Sequence, residues 1–300
     1  MVVTWRGRAH ITACLDALAA QVRPHRTVVV DNASEDGTAE LIAAHPSRPE
    51  ILRLATNTGY AGGLAAALPG VDTEFVAWLN DDTAPDPKWL AELEDALDAD
   101  PRIGAAGARL ESPDGVPISV GTRLTRLGYG ADITTDITGA EPVFGFCGGA
   151  ALLRMNALRA IGGVPAEFFC YYEDTDTAFR LRLNGWDVVA VPDARVPHAH
   201  GASTDHGSRQ FHLWNERNRL AMLIRCAPAR VAVREIARFA AITALLPTRR
   251  KPRGLNFDIG LRLRVLGEVT GRFGALIGQR RKIGRSATVA RGAIWRNFAG

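Results

Sequence analysis

The sequence predicts an α/β fold: a mostly parallel, Rossmann-like sheet flanked by helices on both faces, with a basic helical extension at the C-terminal end. Three observations predict it. Short β-branched runs alternate with helix-like segments through the first half. Those runs are apolar throughout rather than alternating, as strands covered on both faces are. From Arg230 onward the pattern turns to helices with arginine-rich faces.

Val2-Val3-Thr4 reads as the first strand, and Ile11 to Gln21 as a helix with Ile11, Leu15 and Leu18 on one face. Thr27 to Asp31 is the second strand, and Ser34 with Glu35, Asp36 and the run Thr38 to Ala44 reads as a capped helix. Ile51 to Ala55 and Phe75 to Leu79 follow as the third and fourth strands. Ser112 to Val143 has turn signals at Pro113-Asp114-Gly115, Gly121, Gly128 and Gly130 without a helical period, so a mobile or β-containing excursion is expected there. Phe144 to Arg154 is a buried, strand-like stretch with a glycine pair. Glu173 to Asn184 is a helix with Ala178, Phe179 and Leu181 inward, Arg180 and Arg182 outward, and Gly185 as its C-cap. Val188 to Val191 is a further strand, closed by a turn at Pro192-Asp193. There is no internal repeat.

A chain of 300 residues with 47% apolar and 23% charged side chains is a globular protein, which excludes disorder, collagen and a disulfide miniprotein. Cys14, Cys147, Cys170 and Cys226 have no CxxC spacing and read as reduced thiols in a cytosolic setting. The longest charge-free stretch, Leu54 to Val71, is broken by Asn57, several glycines and Pro69, so it does not supply a membrane span. No signal peptide is expected, since Met1 runs directly into Val2-Val3-Thr4. The net charge of +4 conceals an asymmetry: residues 249–300 hold 13 Lys and Arg against Asp258 and Glu268, which leaves −7 on the rest. An acidic body with a basic tail expects an anionic partner.

Right-handed crossovers place ligands at the carboxyl ends of parallel strands. The segments there are Thr4-Trp5-Arg6, Asp31-Asn32-Ala33-Ser34, Asn57-Thr58-Gly59 and Asn80-Asp81-Asp82, three of them rich in Asp, Asn and hydroxyls. No GxGxxG follows the first strand and no GxxxxGK[ST] occurs, which argues against a dinucleotide dehydrogenase or a P-loop NTPase. Asn80-Asp81-Asp82 offers oxygen ligands to a hard cation on a diphosphate; with Thr83 and Pro85 it serves equally as a turn and helix start. Glu173, Asp174 and Asp176 begin a helix whose dipole favours acids. Three carboxylates exceed what capping needs, and crowding raises a carboxyl pKa, as suits a general base. Arg180, four residues after Asp176, makes part of that cluster structural. His198 and His200 are solvated loop residues or a nitrogen ligand for a metal. Arg217-Asn218-Arg219 is a charged helix face or a phosphate contact.

The ordered set TWR (4–6), VVVDNASEDGT (28–38), NTGYAGG (57–63), WLNDD (78–82), the glycine pair before LLR (148–154), YYEDTD with FRLR (171–182), HAHGAS (198–203) and RNR (217–219) resembles the inverting family 2 glycosyltransferases. The flavour is that of bacterial rhamnosyl- and galactofuranosyltransferases, over residues 1–226. The resemblance implies a GT-A catalytic domain over 1–226 and leaves 227–300 as a basic amphipathic helical tail. It implies a UDP- or TDP-sugar donor contacted by Thr4, Asp31, Asn57, Asp81 and Asp82. It implies Mg²⁺ or Mn²⁺ held by Asp82 and His198, and Asp174 as general base. The acceptor, a cell-surface glycan or lipid-linked sugar, would meet Gly148, Gly149, Glu173, Asp176 and Arg217. Asn80 stands where the family's metal motif often has Asp, Leu64-Ala65 where an asparagine pair is common, and Arg6 where Asn is usual.

In the tail, Leu266, Val269, Phe273 and Leu276-Ile277 lie at helical spacing across residues 262–277, flanked by Arg249-Arg250-Lys251 and Arg280-Arg281-Lys282. Basic clusters beside an amphipathic helix suit an anionic bilayer, so peripheral contact with the inner face of the cell membrane is expected in preference to plain packing. Nucleic acid is the disfavoured partner, although Trp295 and Phe298 stand near Arg291 and Arg296. The competing functions are a sugar-phosphate nucleotidyltransferase, whose GxGTRxxP-like loop is absent, and a noncatalytic nucleotide- or glycan-binding protein.

Overall fold

The computed structural model describes residues 1–198, 207–248 and 254–300. Among them the chain runs β1 Val2–Thr4, α1 Ile11–Ala19, β2 Val28–Asp31, α2 Thr38–Ala44, β3 Glu50–Arg53, α3 Gly59–Ala67, β4 Phe75–Asn80, α4 Trp89–Ala99 and β5 Ile103–Glu111. Four short strands follow: β6 Pro117–Ser119, β7 Thr122–Leu124, β8 Gly130–Asp132 and β9 Glu141–Pro142. Then come β10 Ala150–Arg154, α5 Met155–Ala160, α6 Glu173–Leu183, β11 Asp187–Pro197, α7 Arg209–Cys226, α8 Ala229–Leu245, α9 Ile259–Gly271, α10 Phe273–Ser286 and α11 Arg291–Phe298.

The main sheet has the order β3-β2-β1-β4-β10-β5-β11-β9. β3, β2, β1 and β4 are mutually parallel, β10 is antiparallel to both β4 and β5, and β11 runs parallel to β5. Successive side chains leave a strand on opposite faces, so Val2 and Val29 join the core under α1 and α4 while Val3 and Val30 join the core under α3, α6 and α7. Because β10 is reversed, the Gly148-Gly149 segment entering it lies at the edge where β1, β2 and β4 end; the Asn80 amide donates to the Gly149 carbonyl.

Several expectations are corrected. Ser34 does not cap α2: the helix starts after Gly37, at φ +90°, and the Asp36 carboxylate accepts from the Thr38 amide and hydroxyl. Pro192-Asp193 is not a terminal turn but a bulge inside an eleven-residue strand, whose register on β5 jumps between Val191 and Arg195. Arg180 and Arg182 are buried; they donate to the Ile161, Gly163, Phe144, Val143 and Val188 carbonyls. α4 and β5 carried no expectation. β5 (IGAAGARLE) is poor in β-branched residues because a Cβ at Gly104 would meet Trp186, and one at Gly107 Phe146, each at 2.9 Å. The excursion at 112–143 supplies β6 to β9.

The C-terminal helices pack on the rest of the fold. Leu261, Val265, Val269, Leu276, Ile283 and Ile294 belong to the same apolar cluster as Phe168, Leu220 and Leu223. The proposed helix over 262–277 is broken at Arg272, and Phe273 is half exposed rather than part of the buried stripe. Buried Arg262 donates to the Phe239 and Asn256 carbonyls, and Arg280 to those of Ile224 and Ala227. Arg249-Arg250-Lys251 lie outside the described residues. No described helix is long and apolar enough to cross a membrane.

Candidate active site

Two loops carry the first half of the site. The Thr4 hydroxyl, at the end of β1, donates to Asp81 Oδ2 at 2.6 Å just past the end of β4. Gly7 sits over this pair; a Cβ there would lie 2.2 Å from Thr4 Oγ1 and 2.4 Å from Asp81 Oδ2, so only glycine fits. Burial pushes the Asp81 carboxyl up to about 6, with Asp82 adding to it and the Thr4 hydroxyl opposing it. Asp82 Oδ1 lies 2.9 Å from His198 Nε2. The long β11 brings His198 there: its amide donates to the Glu111 carbonyl and it bridges Thr83.

Asp31, at the end of β2, is fully buried. Its Oδ1 accepts from the Ser34 amide, while Oδ2 has no hydrogen bond and lies 3.5 Å from Arg53 Nε. A buried carboxylate oxygen that keeps an ion pair but no hydrogen bond can accept from a ligand N–H or O–H. Asn57 accepts from the Gly59 amide and so shapes the start of α3. Asn32, not singled out from sequence, fastens the same turn by donating to the Gly59 carbonyl and accepting from Thr58.

The second half of the site is the turn into α6. Asp174 Oδ2 accepts from the Gly148 amide at 2.9 Å, and Oδ1 from the Thr175 amide and hydroxyl. Burial raises its pKa against the pull of these donors. Glu173 is buried with Oε2 unpartnered, and burial beside Asp174 lifts it from the ordinary 4.5 to about 8. A Cβ on Gly148 would stand 3.3 Å from Asp174 Cβ and 3.6 Å from Glu173 Oε1; on Gly149 it would stand 3.2 Å from Asn80 Nδ2. Gly148 therefore lets Asp174 lie close to the strand entry, and Gly149 does the same for Asn80. The Tyr60 hydroxyl donates to the Gly148 carbonyl.

The turn before α6 is strained. Phe169, Tyr171 and Tyr172 have φ of 67°, 69° and 70°, each costing roughly 1–3 kcal/mol for a non-glycine residue. It is held by Asn218, whose side-chain amide donates to the Phe168, Cys170 and Tyr171 carbonyls. Sequence inspection passed over Asn218 individually; its position within RNR was the available signal.

Two predicted acceptor contacts are corrected. Asp176 is fully buried; Oδ1 pairs with Arg180 at 2.6 Å and Oδ2 with Arg225 at 3.3 Å. Arg217 donates to the Phe168 carbonyl and pairs with Glu268 of α9. Both anchor the acid-bearing turn; Asp176 is wholly enclosed and Arg217 is partly exposed. His200 to Ser203 lie outside the described residues. A cavity of about 320 Å³ at the amino ends of the strands, near Met1, Thr27 and Phe75, contains none of the groups above.

For a divalent cation, no cluster of three or more His, Cys, Asp or Glu side chains stands ready among the described residues. Asp82 and His198 nevertheless form a paired oxygen and nitrogen donor set. That set fits a cation that arrives with a diphosphate supplying its remaining oxygens.

This fold and site define a glycosyltransferase. The family model "Glycosyl transferase family 2" matches residues 1–162, and the chain belongs to that family. An N-acetylglucosaminyl-diphospho-decaprenol L-rhamnosyltransferase of Mycobacterium tuberculosis is 29% identical over 241 residues, 69% of this chain and 78% of that protein. The mannosyltransferase PcManGT from Pyrobaculum calidifontis, solved with GDP-Man and Mn²⁺, has a TM-score of 0.57 at 18% identity and covers 95% of this chain and 84% of that one. TarS 1-349 of S. aureus, solved with UDP, has a TM-score of 0.54 at 18% identity, covering 94% of this chain and 79% of that one. The structural likenesses establish the GT-A fold.

Proposed function

We propose that the chain is an inverting, metal-dependent glycosyltransferase that moves a sugar, rhamnose foremost, from a UDP- or TDP-sugar to a lipid-linked sugar or surface glycan. The observation that carries this reading is the convergence of the Asp82–His198 pair and the Gly148-oriented Asp174 at one edge of the sheet. The rhamnosyltransferase relative supports the sugar and the lipid-linked acceptor.

Asp31, whose Oδ2 makes no hydrogen bond, and Thr4 line the nucleoside pocket, and Asn57 shapes its floor. Asp82 and His198 would hold Mg²⁺ or Mn²⁺ on the diphosphate, where the cation offsets the charge of the departing nucleoside diphosphate. Asp174 takes the proton of the acceptor hydroxyl as that oxygen bonds to the anomeric carbon and the bond to the diphosphate breaks. One displacement inverts the anomeric configuration. Gly148 aims the base through its amide, and Gly149 and Glu173 complete the acceptor side. The work is placed at the inner face of the cell membrane, where exposed Arg281, Lys282 and Arg285 of α10 meet anionic headgroups.

Purified protein is incubated with TDP-rhamnose, and in parallel with UDP-sugars, together with N-acetylglucosamine diphosphate on a short prenyl chain and Mn²⁺. Nucleotide release with a product of inverted configuration, read by NMR, is the expected result. Retention of configuration, or no turnover with any pair, overturns the reading.

A further inference from the structure

The first turn of α3 reaches both halves of the site. Asn32, next to Asp31, accepts from the Thr58 amide at 2.8 Å and donates to the Gly59 carbonyl at 2.9 Å. One residue on, the Tyr60 hydroxyl donates to the Gly148 carbonyl at 2.5 Å, and the Ala61 amide donates to the Phe169 carbonyl at 3.0 Å. Gly59 permits that approach: its φ is +73°, and a Cβ on it would lie 2.2 Å from the Phe169 carbonyl oxygen. Three consecutive residues thus tie the nucleoside turn to the entry of β10 and to the turn before α6.

Gly148 is held from two sides. Its carbonyl accepts from Tyr60, and its amide donates to Asp174 Oδ2 at 2.9 Å. The two groups sit on adjoining peptide planes hinged at one α-carbon. A glycine has no Cβ to limit that hinge, so bonds from elsewhere set where its amide points. The Tyr60 bond fixes the plane after Gly148, and the Asn80 amide fixes the next by donating to the Gly149 carbonyl. The phenol remains a donor: burial holds its pKa well above the ordinary value, and the facing Glu173, Cys147, Asp174 and Cys170 add to this. Tyr60 therefore does not compete with Asp174 for an acceptor's proton.

We propose that Tyr60 is a positioning residue for Asp174: its hydroxyl fixes the Gly148 backbone, whose amide aims the carboxylate. The proposal rests on the glycosyl-transfer reading and adds to it a residue outside the acid-bearing turn. The bond from Gly148 does two things to Asp174. It directs Oδ2, and it favours the ionised form against the burial that raises the pKa. Loss of the Tyr60 hydroxyl frees the hinge, so the amide no longer holds Oδ2 and the carboxyl titrates higher still. A tyrosine that merely fastened α3 to β10 would alter stability and leave that titration where it is.

The test is Tyr60→Phe, which removes the hydroxyl and keeps the ring. Carbon-detected NMR follows the Asp174 carboxyl through a pH titration of the wild-type and variant proteins. Glu173, Asp132, Cys147 and Cys170 face Asp174 in both, so the difference between the two curves isolates the amide. The Asp174 pKa is expected to be higher in Tyr60→Phe, and the acid limb of its kcat profile to move to higher pH with it. At the plateau kcat is expected to fall roughly three- to tenfold, the size of one lost hydrogen bond, with UDP affinity in Mn²⁺ within about twofold of wild type. In an Asp174→Asn background the same change is expected to add less than about twofold. An unmoved Asp174 titration, or an equal kcat loss in the Asp174→Asn background, overturns the proposal. Should Tyr60→Phe fail to fold, Tyr60→Met, which also lacks the hydroxyl, reads the same titration. The titration needs no turnover, so a failure of this proposal and a failure of the transfer reading are told apart.

Discussion

Asp82 and His198 meet at 2.9 Å although 116 residues separate them in the chain. The contact exists because β11, after its bulge, keeps pairing with β5 as far as Glu111, and the next residue, His198, bridges Thr83 in the loop after β4. If the pair holds the donor's cation, Asp82→Ala and His198→Ala each weaken UDP or TDP binding in Mn²⁺ by at least about tenfold, roughly 1.4 kcal/mol. Without metal they change it little. The double variant falls no further than the worse single one. Calorimetry with and without Mn²⁺ checks this, and equal losses in both conditions would assign the pair to structure alone.

Asp174→Asn is expected to lower kcat by about 10²–10⁴-fold, with nucleotide affinity within about twofold of wild type. The base works only as the carboxylate, and burial raises its pKa. The acid limb of the wild-type kcat profile therefore lies above the usual carboxylate range. A fully active Asp174→Asn protein would remove the base assignment.

Glu173 titrates at about 8 in the folded protein against an ordinary 4.5. The folded state binds that proton more tightly than the unfolded chain. Its contribution to stability is complete below 4.5 and is lost as pH rises through about 8. Glu173→Gln keeps the neutral shape, so the fall in Tm between pH 5 and pH 8 becomes shallower than in wild type. Identical slopes in the two proteins, measured by thermal denaturation, contradict the raised value.

Asp176 holds two buried guanidinium groups. Asp176→Ala leaves Arg180 without its carboxylate and Arg225 with Glu167 alone, and is expected to destabilise the protein by about 3–5 kcal/mol. Asn218→Ala, which frees three carbonyls of a strained turn, costs roughly 2 kcal/mol and lowers kcat through misplacement of Asp174. Urea denaturation measures both. A stable Asp176→Ala protein with a selectively raised acceptor KM would restore the acceptor role that its burial denies.

The carboxyl-end loops are legible in the sequence because a strand covered on both faces ends where polarity returns, as Val28–Val30 give way to Asp31-Asn32. The acids of α6 are legible for the same reason: carboxylates in such number need an explanation beyond capping. Arg180 and Arg182 misread as solvated because periodicity records polarity and is blind to the distant carbonyls and carboxylates that accept from them. β5 hides because alanine and glycine, chosen for the close approach of Phe146 and Trp186, erase the usual strand signal. Gly7 is invisible until the Thr4–Asp81 hydrogen bond beneath it is seen.

Gln279 of α10 donates to Glu167 Oε1, which also receives Arg225, and Arg225 in turn holds Asp176, two residues after Asp174. Arg272 adds a bond to the Glu167 carbonyl. The basic α10 and the turn that carries Asp174 are thus joined by a continuous chain of polar contacts. Were a surface to hold that helix, it would also fix the angle and height at which Asp174 stands above it, so that adhesion and aim would be one geometric quantity.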